Sequence, residues 1–84
     1  MPVIMSSGID PMSGEPVYRQ LASIIRSKIE SGDYPPGAPL PSAKSMAQEY
    51  GISIGAVTRA VDVLRAEGLA RTVPGRGVWV LPRS

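Results

Sequence analysis

The chain has 84 residues and carries nine Lys or Arg against seven Asp or Glu, a formal net charge of +2. This length supports one domain with a single small core. The absence of Cys and His excludes disulfides, thiolate metal sites and the usual nucleophile–base pairs, so we expect neither an enzyme nor a bound cofactor. No apolar run approaches the about 20 residues of a membrane span, and the start lacks a secretory signal pattern, which favours a cytoplasmic protein without membrane contact.

Positive charge is concentrated after residue 50. Residues 1–50 carry four basic and five acidic groups, whereas residues 51–84 carry five Arg and two acidic groups. Arg is suited to contacts with phosphates and base edges. The asymmetry favours a nucleic-acid partner, with an ordinary solvated surface of mixed charge as the alternative.

The first 15 residues show no periodicity and mix Pro, Gly and Ser with scattered apolar side chains. We interpret residues 1–15 as a flexible arm. Within it, Ile9 or Met12 could pack against the rest of the chain. Residues 16–84 form the predicted domain.

The first periodic segment begins at Pro16, a residue that suits the first turn of a helix. Apolar residues then recur at spacings of three and four, which predicts a helix over 16–31 that ends at Gly32. The stretch 33–41 contains four prolines and a glycine and cannot be helical. We expect a turn there, followed by a short extended piece around Ala38–Leu40.

Two further short helices are predicted, and each follows a serine that can cap it. Ser42 precedes a helix over about 43–50, and Ser53 precedes a helix over about 54–67. Two short helices separated by a turn that contains glycine have the geometry of a helix-turn-helix. Two packed helices without a nucleic-acid partner are the alternative.

After Gly68 the pattern changes to that of β-strands. The runs Leu69–Val73 and Val78–Leu81 are joined by Pro74–Gly77, a glycine-rich hairpin turn. Because an isolated hairpin is marginally stable, we expect it to pack on the helices and to pair with Ala38–Leu40. The predicted fold class is α+β, mainly α: a winged helix-turn-helix of three helices and a small antiparallel sheet with a hairpin wing.

Candidate DNA contacts lie at the start of the second and third helices. In a helix-turn-helix, the second helix of the pair enters the major groove, and its N-terminal residues lie nearest the base edges. Gly55 and Ala56 would let the backbone approach the duplex closely, although tight packing would also explain such small residues. The first helix of the pair crosses the phosphates, so its candidates are Ser42, for which capping is the simpler role, and Lys44. The candidates on the third helix are Ser53, Ile54, Gly55, Ala56, Thr58 and Arg59.

The predicted wing supplies three more candidates. Gly75, Arg76 and Gly77 place one arginine at the tip of a hairpin, which is typical of a probe for the minor groove or a phosphate. A solvated tip is the alternative, and the glycines are needed by the turn in either case. Trp79, which lies on a strand among apolar neighbours, is expected to belong to the core.

Several motifs together resemble one known family. The chain has PVYRQL at 16–21, similar to P-x-Y-x-Q-[IL], and IESG…YPPGAPLPS over 29–42, similar to I-x-x-G…PG-x-x-LPS. RAEGL at 65–69 and GRG at 75–77 follow. Over residues 16–80 the sequence resembles the N-terminal DNA-binding domain of the GntR family of bacterial repressors. The resemblance implies a winged helix that binds double-stranded DNA and regulates transcription.

The chain departs from this family at positions that usually carry DNA contacts. The family usually has Glu-Arg where this chain has Ala43 and Lys44, and it usually has Arg at the positions of Ile54 and Thr58. Thr58 keeps a hydroxyl and a methyl group, and Ile54 could pack on a thymine methyl. Arg59, where the family often has Glu, is our candidate for supplying the missing charge.

The resemblance also implies a C-terminal domain that binds an effector and dimerises, whereas this chain stops four residues after Val80. A truncated protein and a stand-alone domain are both open, and no small-molecule effector site is expected in this chain. The expected partner is double-stranded DNA, bound by a homodimer on a two-fold symmetric site. The alternative is a winged helix that serves as a protein-interaction module through the apolar start of the third helix, with weak or non-specific DNA binding.

Overall fold

The computed structural model describes residues 8–82 of the chain. Three helices come first and a β-hairpin follows, which confirms the predicted winged helix-turn-helix with element boundaries within one residue of those expected. Within the described residues, no helix is long and apolar enough to cross a membrane. The elements are α1 (Val17–Ser31), α2 (Ala43–Tyr50), α3 (Ile54–Ala66), β1 (Ala70–Val73) and β2 (Gly77–Val80).

Local side-chain chemistry determines where the helices begin and end. The Ser42 hydroxyl accepts a hydrogen bond of 3.0 Å from the Ser45 N–H, and the Ser53 hydroxyl accepts one of 3.0 Å from the Ala56 N–H. Both predicted N-caps are therefore confirmed. Helix α1 ends at Gly32, whose φ of 92° lies in the left-handed region that other residues avoid.

The hydrophobic core lies between the three helices and the hairpin. Helix α3 turns its apolar stripe inward as predicted, and α1 packs mainly against it. Tyr50 closes one edge of the core, where burial, with a smaller contribution from Glu49, raises the pKa of its phenol to about 12. The largest fully buried side chains are Leu21, Ile25, Met46, Val57, Leu64 and Val80.

The hairpin is extended by one short segment from the proline-rich stretch. Strands β1 and β2 pair antiparallel, with Arg71 opposite Trp79 in the register, and Pro39 forms an isolated antiparallel bridge with Trp79 on the other side of β2. The Leu40 N–H donates to the Val78 carbonyl at 2.8 Å. The predicted pairing of Ala38–Leu40 with the hairpin is confirmed.

Trp79 does not belong to the core, and the prediction for this residue was wrong. Successive side chains of a strand point to opposite faces. Val78 packs against the core and Val80 is part of it, so Trp79 between them lies half-buried on the outer face of the hairpin. There its indole N–H donates to the Arg76 carbonyl at 3.1 Å. The run of apolar neighbours concealed this alternation.

Residues 8–15 lie against α1, and a buried glutamine holds them. The Gln20 side chain accepts a hydrogen bond from the Asp10 N–H at 2.7 Å and donates to the Asp10 and Glu15 carbonyls and to the Ser13 hydroxyl. Ile9 is only 4% exposed and joins the core, whereas Met12 is exposed. That residues 1–15 act as a flexible arm stays a prediction, and residues 1–7 lie outside the described residues.

One ion pair connects α1 with the end of α3. The Arg26 guanidinium donates two hydrogen bonds, of 2.9 and 2.8 Å, to the two carboxylate oxygens of Glu67. This bidentate geometry raises the pKa of Arg26 and lowers the pKa of Glu67. The pair fixes the far end of α3 and leaves the start of that helix for other contacts.

Candidate nucleic-acid interface

The start of α3 is exposed. Its first turn presents Ile54, which is 52% exposed, together with exposed Gly55 and half-buried Ala56. Thr58 and Arg59 are exposed one turn later. The structure therefore places the candidate residues of α3 on the side away from the core, where a duplex could reach them.

Thr58 has its hydroxyl proton engaged within the helix. The Oγ1 atom donates a hydrogen bond of 2.9 Å to the Gly55 carbonyl, three residues earlier. In this arrangement the side chain offers an acceptor lone pair and a methyl group on the exposed side. Those groups match the exocyclic amines of adenine or cytosine and the methyl of thymine.

Gly55 is not required by packing. A Cβ atom built at this position would meet only the Ser53 hydroxyl, at 3.9 Å, and the backbone does not adopt a positive φ there. Glycine inside a helix is destabilising relative to alanine. The alternative of tight packing therefore does not account for Gly55, and close approach of a duplex at this residue stays a prediction.

Arg59 points outward, and its guanidinium contacts an aromatic ring. It lies over the ring of Tyr18 on α1, with 5.0 Å between the guanidinium carbon and the ring centroid. The spacing of apolar residues in α1 gives no indication of this contact with Tyr18. The signal available was its place in the PVYRQL motif at 16–21, next to Arg19, which approaches the same ring at 5.7 Å.

The wing tip combines a required turn with one unpaired cation. Gly75 and Gly77 have φ values of 77° and 89°, so both positions favour glycine. The Arg76 N–H donates to the Val73 carbonyl at 2.9 Å, which closes the turn. Within residues 8–82 the Arg76 side chain has no ion pair, and it is exposed.

Two surface grooves bring most of the candidates together. One has a volume of about 450 Å³ and lies between the start of α2, the exposed side of α3 and the wing; it includes the candidates Ser42, Thr58, Arg76 and Gly77. The second lies between the starts of α1 and α3 and includes the candidates Ser53, Gly55, Ala56, Thr58 and Arg59. Thr58 lines both grooves. Lys44, Ile54 and Gly75 line neither groove, although all three are exposed.

The charges on this surface divide into paired and unpaired groups. Among the described residues, only two arginines form salt bridges: Arg26 with Glu67, and Arg65 with Asp62 at 2.9 Å. Arg76 and Arg59 each line one of the two grooves and form no salt bridge, and Arg19 and Lys44 are exposed and likewise form none. Cations that are not neutralised within the protein are those that can neutralise phosphates.

This arrangement of helices and wing defines a class, the winged helix-turn-helix proteins. The family described as "Bacterial regulatory proteins, gntR family" matches residues 17–80, which is most of the chain. The chain belongs to the GntR family.

Similar proteins agree with this assignment. The HTH-type transcriptional repressor NagR of Bacillus subtilis is 36% identical over 72 residues, which are 86% of this chain and 30% of NagR. Among solved structures, YtrA from Sulfolobus acidocaldarius, a GntR-family transcription factor, has a TM-score of 0.84 and 32% identity, covering 93% of this chain and 82% of that one. The DNA-binding domain of AraR in complex with operator ORX1 has a TM-score of 0.78 and 30% identity, covering 84% and 88%.

Proposed function

We propose that this chain is the DNA-reading part of a transcription regulator, most simply a repressor, that places α3 in the major groove and the wing at the adjacent minor groove or backbone. The observation that carries the proposal is the convergence of candidates from α2, α3 and the wing on one groove that shares Thr58 with its neighbour. NagR is named a repressor, and the AraR domain of similar fold is bound to an operator. With DNA as its partner, the protein is proposed to act in the bacterial cytoplasm.

In this proposal, the residues divide by the part of the duplex that they contact. Thr58 and Ile54 face base edges, since they offer a methyl group, an acceptor and apolar surface. Ser42, Lys44 and Ser53 contact the backbone from the starts of the two helices, where free N–H groups also favour phosphates. Gly55 and Ala56 permit close approach, Arg59 supplies positive charge, and the wing residues Gly75, Arg76 and Gly77 complete the set.

The proposed assembly is a homodimer on a two-fold symmetric site. The chain spans 30% of the length of NagR. We assign no small-molecule effector site and no enzymatic activity to the described residues. Selection of bound duplexes from a random pool, followed by sequencing, tests both the specificity and the symmetry. An enriched palindrome is the expected result.

One observation favours a second candidate function, a protein-interaction module. Ile54 is 52% exposed at the point where a duplex would lie, and an apolar side chain there also suits a protein partner. Salt separates the two functions, since phosphate contacts make binding weaken steeply as salt rises, with a slope of about −0.9 per neutralised phosphate. If no duplex is retained even at low salt, the second function replaces the first.

Gly55 provides a direct test of close approach. Because Gly55 sits in a helix with open space around it, Gly55→Ala should raise the free energy of unfolding by roughly 0.5–1 kcal/mol. The added methyl should nevertheless weaken binding to the selected duplex by about ten-fold, the effect of a displacement worth about 1.4 kcal/mol. Urea denaturation and fluorescence anisotropy measure the two quantities. A variant that is both more stable and fully competent would show that the backbone at residue 55 does not approach DNA.

A further inference from the structure

Tyr18 lies where α1 and α3 converge, and two arginines approach its ring. The guanidinium of Arg59 lies 5.0 Å from the ring centroid, and that of Arg19 lies 5.7 Å from it. Both distances fall within the about 6 Å at which a cation is attracted to the face of an aromatic ring. Tyr18 itself is half-buried and packs against the core, so the ring is a fixed support.

The two arginines at this ring are not neutralised. Neither Arg19 nor Arg59 forms a salt bridge within the described residues, in contrast to Arg26 and Arg65. Both side chains are exposed. Two cations at one ring add to the local positive potential, which favours an anion nearby.

The stacked arrangement leaves the hydrogen-bonding capacity of Arg59 available. A guanidinium carries its five N–H donors in the plane of the group, so a ring that covers its face does not occupy them. Those donors fit the oxygens of a phosphate in a two-pronged geometry. The groove beside Tyr18 also includes Ser53 and Gly55 of α3, and it opens on the side where we propose that DNA binds.

We infer that Tyr18 is a positioning residue that holds Arg59 on the DNA backbone, and that Arg59 and Arg19 together form a site for a backbone phosphate at the junction of α1 and α3. This inference rests on the proposed DNA-binding function. According to this inference, Arg59 does not read bases. The Tyr18 ring holds the Arg59 guanidinium toward α1 and the DNA backbone, so Arg59 contributes to affinity for a duplex of any sequence. Thr58 and Ile54 then remain as the side chains of α3 that distinguish bases.

The test measures binding of the chain to the selected duplex and to a scrambled duplex over a range of salt concentrations. Arg59→Ala and Arg19→Ala should each weaken binding to both duplexes by the same factor, and the double substitution should reduce the magnitude of the salt slope by about 0.9, the value for one neutralised phosphate. Lys28→Ala removes one positive charge at the other end of α1, ten residues from Tyr18 and thus about 15 Å away, and should leave the slope unchanged.

The role of Tyr18 is tested by two substitutions in two backgrounds. Tyr18→Leu should weaken binding about two- to five-fold, the factor that an exposed cation–π contact supplies, whereas Tyr18→Phe keeps the ring and should bind as the original chain does. In a background that carries both Arg19→Ala and Arg59→Ala, Tyr18→Leu should have no further effect, because both arginines that contact the ring are absent. Thermal unfolding of each variant verifies that the fold is retained.

The outcomes separate this inference from the proposed function. If the unsubstituted chain retains no duplex at low salt, the proposed function itself fails. If that chain binds but Arg59→Ala weakens only the selected duplex, Arg59 reads bases and the inference is wrong. A loss from Tyr18→Phe as large as that from Tyr18→Leu would also overturn it, since the hydroxyl and not the ring would then be responsible.

Discussion

Two non-helical segments are attached to the same helical bundle in opposite ways. Residues 9–15 are held against α1 by Gln20, whose side chain makes four hydrogen bonds to them, and by Ile9, which is buried in the core. The wing tip at 74–76 is held by the turn itself and by one side-chain hydrogen bond, from the Trp79 indole to the Arg76 carbonyl. The Arg76 side chain extends from that tip into solvent.

The difference separates a segment that contributes to the fold from one that is free to contact a partner. Segments with few buried contacts open at low free-energy cost, and binding elements are commonly of this kind. Polar groups of residues 9–15 form hydrogen bonds with Gln20, whereas the Arg76 side chain has no ion pair within the described residues. The comparison therefore predicts that substitution of Gln20, which holds residues 9–15, changes stability, and that substitution of Arg76 at the wing tip changes DNA binding.

The largest effect is expected from Gln20→Ala. This substitution removes the four hydrogen bonds that hold residues 9–15 and loosens the burial of Ile9, so the free energy of unfolding should fall by about 1–3 kcal/mol. Urea denaturation measures the loss. Gln48→Ala is the matched control, since Gln48 is exposed on α2 and should cost less than about 0.5 kcal/mol. Equal losses from the two variants would show that the Gln20 attachment does not stabilise the fold.

In contrast to Gln20→Ala, Arg76→Ala is expected to weaken DNA binding and to leave stability nearly unchanged. Stability should change by less than about 0.5 kcal/mol, because the side chain is exposed and has no ion pair among the described residues. Binding to the selected duplex should weaken by about ten-fold, with a salt slope smaller in magnitude by about 0.9. Arg76→Lys distinguishes the two proposed contacts: a phosphate contact survives the substitution, whereas a minor-groove contact that depends on the guanidinium does not. Unchanged affinity of Arg76→Ala would remove the wing from the proposed interface.

The same comparison shows what could be predicted from the sequence. The helices, their serine caps and the hairpin follow from spacings within a few residues, and all of them are confirmed. The hydrogen bonds of Gln20, the outer position of Trp79 and the stacking of Arg59 on Tyr18 depend on how separate segments meet in space. Periodicity places Arg59 on the exposed side of α3 but carries no information about which residue of α1 lies beside it. The DNA contacts themselves stay predictions, because they depend on a partner outside the chain.

Trp79→Phe should weaken the wing attachment without removing the ring. The lost indole N–H no longer donates to the Arg76 carbonyl, so the free energy of unfolding should fall by about 0.5–1 kcal/mol, the net value of one hydrogen bond. Because the tip then holds Arg76 less firmly, binding should weaken by a smaller factor than in Arg76→Ala. Denaturation and anisotropy on the same preparations measure both effects. Binding that falls more than in Arg76→Ala would mean that the indole group itself contacts DNA.

Lowering the pH should not weaken the hydrogen bonds of Gln20 or Trp79, because neither side chain ionises. It should weaken the ion pair between Arg26 and Glu67. Arg26 holds the pKa of the Glu67 carboxyl below its ordinary value of 4.5. The unfolded chain therefore takes up this proton at higher pH than the folded chain does, so the pair stabilises the fold above pH 4.5 and the stabilisation is lost as the pH falls through the lowered pKa. Because the pair is partly exposed, the loss should not exceed about 1 kcal/mol. Urea denaturation across this range should give a flatter profile for Glu67→Gln than for the unsubstituted chain; identical profiles would assign the acid sensitivity to other carboxyl groups.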